Sequence, residues 1–199
     1  MNKELYDRVW GHEAYRQVAP GEFHADKFLS LANPDSRVID FGSGTGRGAM
    51  KISRKAPVLA LDFSDLAMDA EVRKIEGIEF RRHDLREPIG DHAKYGFCTD
   101  VMEHIAPEDV DTVLRNIFDA ADNVFLAIST TKDHFGQVLV GEPLHLTVES
   151  PYWWHDKLTT MGVNVGWSAY DHDCAVFYCG KEFYIEANDV RAQGSLNIE

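Results

Sequence analysis
Residues 38–50 read VIDFGSGTGRGAM. An apolar run carrying Asp40 enters four glycines at alternate positions, Gly42, Gly44, Gly46 and Gly48, and then a segment with helical spacing. A strand, a sharp turn and a helix N-terminus in that order begin an open α/β sheet. Glycine removes the side chains that would bar a close approach, so the turn is shaped to take a ligand against its backbone.

The rest of the chain continues the alternation. Strand patterns fall at 37–41, 57–61, 78–82, 95–99 and 124–128, with helical patterns at 46–54, 65–73, 107–121 and 151–161. This predicts a doubly wound, Rossmann-like, mostly parallel sheet with helices on both faces. Two late strand patterns, 163–168 and 174–180, flank AYDHD and predict a hairpin that adds an antiparallel strand near the C-terminus. Two further helices, 3–17 and 22–31, precede the first strand, broken by Ala19-Pro20-Gly21. Without repeats, linkers or low-complexity blocks, 1–199 reads as a single domain.

Formal net charge is −13, a field that repels phosphate backbones and argues against a DNA duplex as partner. The one dense basic cluster, RRHDLR at 81–86, reads as a solvated strand end. No apolar run is long enough for a membrane span, and the N-terminus lacks the apolar core of a signal peptide. Cys98, Cys174 and Cys179 form no CxxC pattern and read as buried reduced thiols, which points to the cytoplasm.

Two ligand chemistries compete for the glycine turn. Gly44, Gly46 and Ala49 fit the G-x-G-x-x-A spacing that holds a pyrophosphate. The other candidate is S-adenosylmethionine, which has no phosphate. Asp40, two residues before Gly42, disfavours a pyrophosphate and suits the cationic amino group of a methionine moiety. Asp62 ends the second strand pattern in LALDFS and can accept from both ribose hydroxyls, with Phe63 beside it to pack on adenine. Asp84 ends the third in FRRHDL and can accept from the adenine amino group, with Leu85 donating its backbone N–H to the ring. Each acid alone could be a helix cap. Three at successive strand ends outline an adenosylmethionine.

In order and spacing, VIDFGSGTG, LALDFS, RRHDL and GFCTDVMEHI resemble the motifs of class I S-adenosylmethionine-dependent methyltransferases, from Val38 to Ile128 and on toward Gly180. The DVMEHI segment is similar to that of small-molecule members whose fourth strand ends in Leu-Glu-His; Met102 stands for the leucine, and Lys94 replaces a frequent aspartate. The resemblance implies a seven-stranded sheet with one antiparallel strand. It implies a cofactor set of Asp40, Gly42, Ser43, Gly44, Thr45, Gly46, Asp62, Phe63, Asp84, Leu85 and Thr99. Helices within 1–36 then cover the cofactor, bringing Tyr6, Trp10 and Tyr15 near the turn, with Arg16 as partner of the methionine carboxylate. Residues 129–161 form an acceptor-side lid and helix.

Methyl transfer to oxygen needs a base or a metal as well as alignment. The candidates are His104, His134, His145 and His155, with His104 and His145 expected beside the methyl group. Asp100, Glu103 and His104 also resemble the metal-binding spacing of ubiquinone-pathway O-methyltransferases and small-RNA 3′-end methyltransferases, with His145 as a further ligand. A divalent metal therefore stays open beside the metal-free reading. Trp153 and Trp154 read as packing residues. The resulting expectation is O- or N-methylation of a small molecule. The alternatives are an RNA-end or protein methyltransferase and a non-catalytic S-adenosylmethionine-binding protein. The sequence leaves the oligomeric state open.

Overall fold
The computed structural model describes residues 3–133 and 135–180. His134 and residues 181–199 lie outside the described residues. Seven strands form one sheet: β1 (Val38–Phe41), β2 (Val58–Asp62), β3 (Ile78–Arg82), β4 (Ala93–Thr99), β5 (Ala121–Ser129), β6 (Val165–Tyr170) and β7 (Cys174–Gly180). Their order is β3-β2-β1-β4-β5-β7-β6. All pairings are parallel except the two made by β7, so the expected single antiparallel strand is β7.

The central strands are near-continuous apolar runs because helices cover both faces. Residues of β1 and β2 are buried without exception, whereas the edge strand β3 alternates. Along β1 the pleat sends Ile39 and Phe41 to one core and Val38 to the other. The first core is closed by α5 (Val110–Ala120), whose Val110, Val113, Leu114 and Ile117 form one buried stripe, and by α7 (Pro151–Thr160). Ser150 caps α7, accepting from Trp153 N, and Pro151 occupies its first turn. Trp154 is fully buried there and Trp153 partly so, as expected of packing residues. The second core is closed by α3 (Pro20–Ala32) and α4 (Arg47–Ile52).

The chain begins with α1 (Lys3–Trp10) and α2 (Glu13–Arg16), where the sequence predicts one helix over 3–17. A short α6 (Phe135–Val140) follows β5. The helix expected over 65–73 does not form; turns and a 3-10 turn at Val72–Lys74 replace it. Its would-be helical carbonyls are taken by arginines: Leu66 O and Ala67 O accept from Arg16, and Asp65 O from Arg73. Asp69 N donates to Thr45 O instead of to the preceding turn. Tertiary hydrogen bonds outcompete the local periodicity.

Cys98 and Cys179 are buried free thiols, whereas Cys174 is half-buried, less enclosed than its apolar run suggests. Among the described residues no helix is long and apolar enough to cross a membrane.

Candidate functional site
The strand order reverses between β1 and β4, and beyond their carboxyl ends lies a cavity of 360 Å³. Its floor is the glycine turn. Gly42, Gly44 and Gly46 all have positive φ, at 75°, 52° and 78°. A side chain on Gly42 would run into Val101, and one on Gly44 would come within 3.2 Å of the Trp10 ring. Gly42, Ser43, Gly44 and Thr45 line the cavity.

The three strand-end acids all reach it. Asp40 is 2% exposed, and burial, followed by the charge of Asp62, pushes its carboxyl up to about 8. Burial likewise raises Asp62 to about 6, opposed by the N–H groups of Ser64 and Gly44 that donate to its two oxygens at 2.9 Å. Asp62 therefore ties the first glycine turn to the second strand end. Burial would also raise Asp84, but Arg86 grips both of its oxygens and holds the carboxyl below its ordinary range. Phe63, Leu85 and Thr99 complete this side of the wall.

The opposite side is roofed by α1 and residues 130–149. Leu5 and Val9 of α1 bury against Leu144, and Tyr6, Trp10 and Tyr15 face the cavity. The end of β4 turns beneath this roof through Asp100, whose φ of 52° is unusual for a residue with a side chain. A 3-10 turn, Met102–His104, follows. His104 and His145 meet edge to face with ring centroids 4.8 Å apart, and both line the cavity. His104 Nδ1 lies 3.1 Å from Leu144 O, and His145 Nδ1 lies 2.7 Å from Thr131 O. Burial, then the charge of His145, lowers His104 to about 4, so it is neutral at physiological pH.

Glu103 is fully buried beside them. Its Oε1 accepts from Ser129 N at 3.1 Å, but Oε2 has no partner. Burial, then the neighbouring Asp100 charge, raises its carboxyl, and the two acids are placed to share a proton. Ligand atoms of Glu103, His104 and His145 lie within 4.8 Å of one another. Asp100 lines the cavity outside that cluster. Tyr6 Oη and Ser43 Oγ are also buried without a partner, so three of the five such atoms among the described residues belong to this site.

Two residues expected at the cofactor are placed outside the cavity lining. Arg16 does not line the cavity: its guanidinium is consumed by Asp69 at 2.6 Å and by the carbonyls of Trp10, Leu66 and Ala67, where it clamps the loop after β2. Gly46 also stands outside the lining; a Cβ there would lie 2.8 Å from Met68 and Val72, so its smallness serves packing. His155 stays on α7, near Phe177 and away from the cavity. The sequence reading missed Gly21 and Gly48, whose backbones abut so that α3 reaches the cavity floor. The fourth glycine of the turn was the available signal. It also missed Lys132 and Phe135 at the rim.

Residues 38–123 match the family profile described as "Methyltransferase domain". The matched segment is similar to a methyltransferase domain over these residues. It spans β1 to the start of β5 and contains the glycine turn and all three strand-end acids. No curated protein matches the chain. Among solved structures, the complex of DhpI with S-adenosylhomocysteine is similar at a TM-score of 0.64 and 18% identity, covering 92% of this chain and 100% of that one. Magnesium protoporphyrin IX methyltransferase (ChlM) from Synechocystis PCC 6803, with S-adenosylhomocysteine bound, has a TM-score of 0.63 at 15% identity, covering 89% and 94%. The glycopeptide N-methyltransferase MtfA, complexed with sinefungin, has a TM-score of 0.63 at 12% identity, covering 83% and 88%. At these identities the likeness is one of fold. The matched segment thus sits in a complete seven-stranded sheet of that fold.

Proposed function
We propose that the protein uses S-adenosylmethionine to methylate a hydroxyl group of a small molecule. The carrying observation is one cavity that joins three strand-end acids around a glycine turn to a pair of imidazoles at the opposite wall. Asp40 receives the amino group of the methionine moiety, Asp62 the ribose, and Phe63, Asp84 and Leu85 the adenine. His104 and His145 face the acceptor. A carbonyl only accepts hydrogen bonds, so each Nδ1 beside one carries its proton and each Nε2 keeps a lone pair. Two lone pairs suit an acceptor that must surrender a proton. The enclosing roof and the net charge of −13 favour a small acceptor over an RNA end or a protein.

Calorimetry tests the cofactor reading. S-adenosylmethionine and S-adenosylhomocysteine are expected to bind, with NAD far weaker; tight NAD binding and no affinity for the adenosyl ligands would overturn it. Binding should also release protons. Asp40, raised to about 8, holds a proton in the empty site at pH 7 that a cationic ligand displaces, whereas Asp62, raised to about 6, is already mostly ionised there. Affinity therefore rises as pH increases from 6 to 8, and the measured heat depends on the ionisation enthalpy of the buffer. Heat independent of the buffer at pH 7 would contradict this assignment.

A second reading is favoured by Glu103 Oε2, which no donor reaches, and by the close approach of Glu103, His104 and His145 ligand atoms within 4.8 Å. Glu103, His104 and His145 would hold a divalent ion, whose chemistry is to lower the pKa of a bound hydroxyl. On this reading, Mn²⁺ or Zn²⁺ titrates the chelator-treated protein to one ion per chain, and Glu103→Gln removes that binding. Zero stoichiometry would leave the shared proton of Asp100 and Glu103 as the occupant.

A further inference from the structure
We infer that Asp133, which lines the same cavity, is a positioning residue that fixes the proton-accepting faces of both histidines. Its carboxylate collects three backbone donors. Oδ1 accepts from Phe135 N at 2.8 Å; Oδ2 accepts from Gly136 N at 2.8 Å and from Leu144 N at 3.0 Å. The last bond closes residues 133–144 into a loop and pins its far end. At that end Leu144 O accepts from His104 Nδ1, and the next residue, His145, turns back onto Thr131 O, two residues before Asp133. Both carbonyls that set the imidazole tautomers thus belong to the chain that one carboxylate ties together.

The surrounding residues are shaped for this knot. A Cβ on Gly136 would run into the Asp133 carboxylate and the Leu144 side chain, so a glycine makes the approach possible. Leu144 is 2% exposed, and its burial against Leu5 and Val9 fixes the same peptide from the other side. The 131–147 segment is also sewn to the Glu103 turn, because Leu146 N and Thr147 N donate to Glu103 O at 2.7 and 3.0 Å. Those bonds hold the segment near the site. The bond to Leu144 N anchors the residue on the side before its carbonyl, and the bonds to Leu146 N and Thr147 N hold the chain beyond it. An asparagine in place of Asp133 presents an NH₂ group to one set of N–H donors, so the knot cannot close with all three bonds. Without a carbonyl at Nδ1, an imidazole reverts to the Nε2–H form that it favours in water, and its lone pair turns away from the cavity.

Nitrogen-15 correlation spectra of the histidine rings test this directly in chelator-treated full-length protein, without an acceptor. His104→Gln and His145→Gln assign the signals. The wild type is expected to hold both rings as Nδ1–H. Asp133→Asn and, independently, Gly136→Ala should lose that tautomer at His104 at least, while S-adenosylhomocysteine affinity stays within about twofold because the cofactor contacts are separate. Asp133→Glu serves as a third variant if the others do not fold. Nδ1–H tautomers retained at both rings in any folded variant would overturn the inference, as would an Nε2–H tautomer at His104 in the wild type. The activity consequence rests on the histidine role proposed above: a fall in kcat with KM for the cofactor unchanged. If tautomers shift and methyl transfer does not change, that role fails while the positioning stands.

Discussion

Joint replacement of His104 and His145 by alanine is expected to cut methyl transfer by about 10²–10⁴-fold, the usual worth of a positioned general base. Affinity for S-adenosylhomocysteine should stay within about twofold, because neither ring touches the strand-end acids. The two rings are 4.8 Å apart, so either one can take the acceptor's proton or hand it on to the other. The two single replacements are therefore expected to cost less in sum than the double replacement does. His104 is depressed to about 4 and keeps its lone pair throughout the neutral range. Its own titration removes activity only as pH falls toward 4. The measurement is single-turnover transfer from labelled cofactor to the acceptor, once a metabolite screen has supplied one. Full activity of the double variant would reject both the base and the metal readings and leave the pair as structural residues.

The second large effect lies on the cofactor side. Asp62→Ala should weaken S-adenosylmethionine binding by about 1–3 kcal/mol, the cost of leaving hydroxyl groups without a partner in a closed site. Part of that loss comes through the protein itself. Asp62 holds Gly44 N and Ser64 N, so the alanine variant also frees the glycine turn. Asp62→Asn separates the two contributions, since one amide oxygen retains one backbone bond and part of the ribose contact. An intermediate affinity is expected for it. Calorimetric affinities equal to wild type in both variants would show that the ribose does not rest on this residue.

The strands were legible because burial on both faces leaves little but apolar residues, as in VIDF and VLALD. The acids at their ends were legible because a charge closing such a run has few other reasons to be there. Other features depend on partners distant in sequence. The periodicity of 65–73 looks helical until Arg16, some 50 residues earlier, occupies its carbonyls. Arg16 looked free for a ligand for the same reason: nothing near it in sequence announces Asp69. Gly46 has the same spacing as its ligand-facing neighbours, and only the position of Met68 and Val72 separates packing from binding. Asp133 carries no signal in the sequence, since its partners are backbone amides that no residue type reveals.

The matched domain, 38–123, supplies the floor and the three acids, whereas the roof comes from α1 and residues 130–149, wholly outside it. Of the histidine pair proposed to face the acceptor, His104 lies within the matched segment and His145 in the roof. On that proposal, the roof can be rewritten around the acceptor while the floor is kept. The two roof segments must change together, however: Leu144 is buried by α1 side chains, so a new cover on one side calls for a matching surface on the other. On the proposed function, the cover over the acceptor is in that sense a two-piece trait, inherited as a pair.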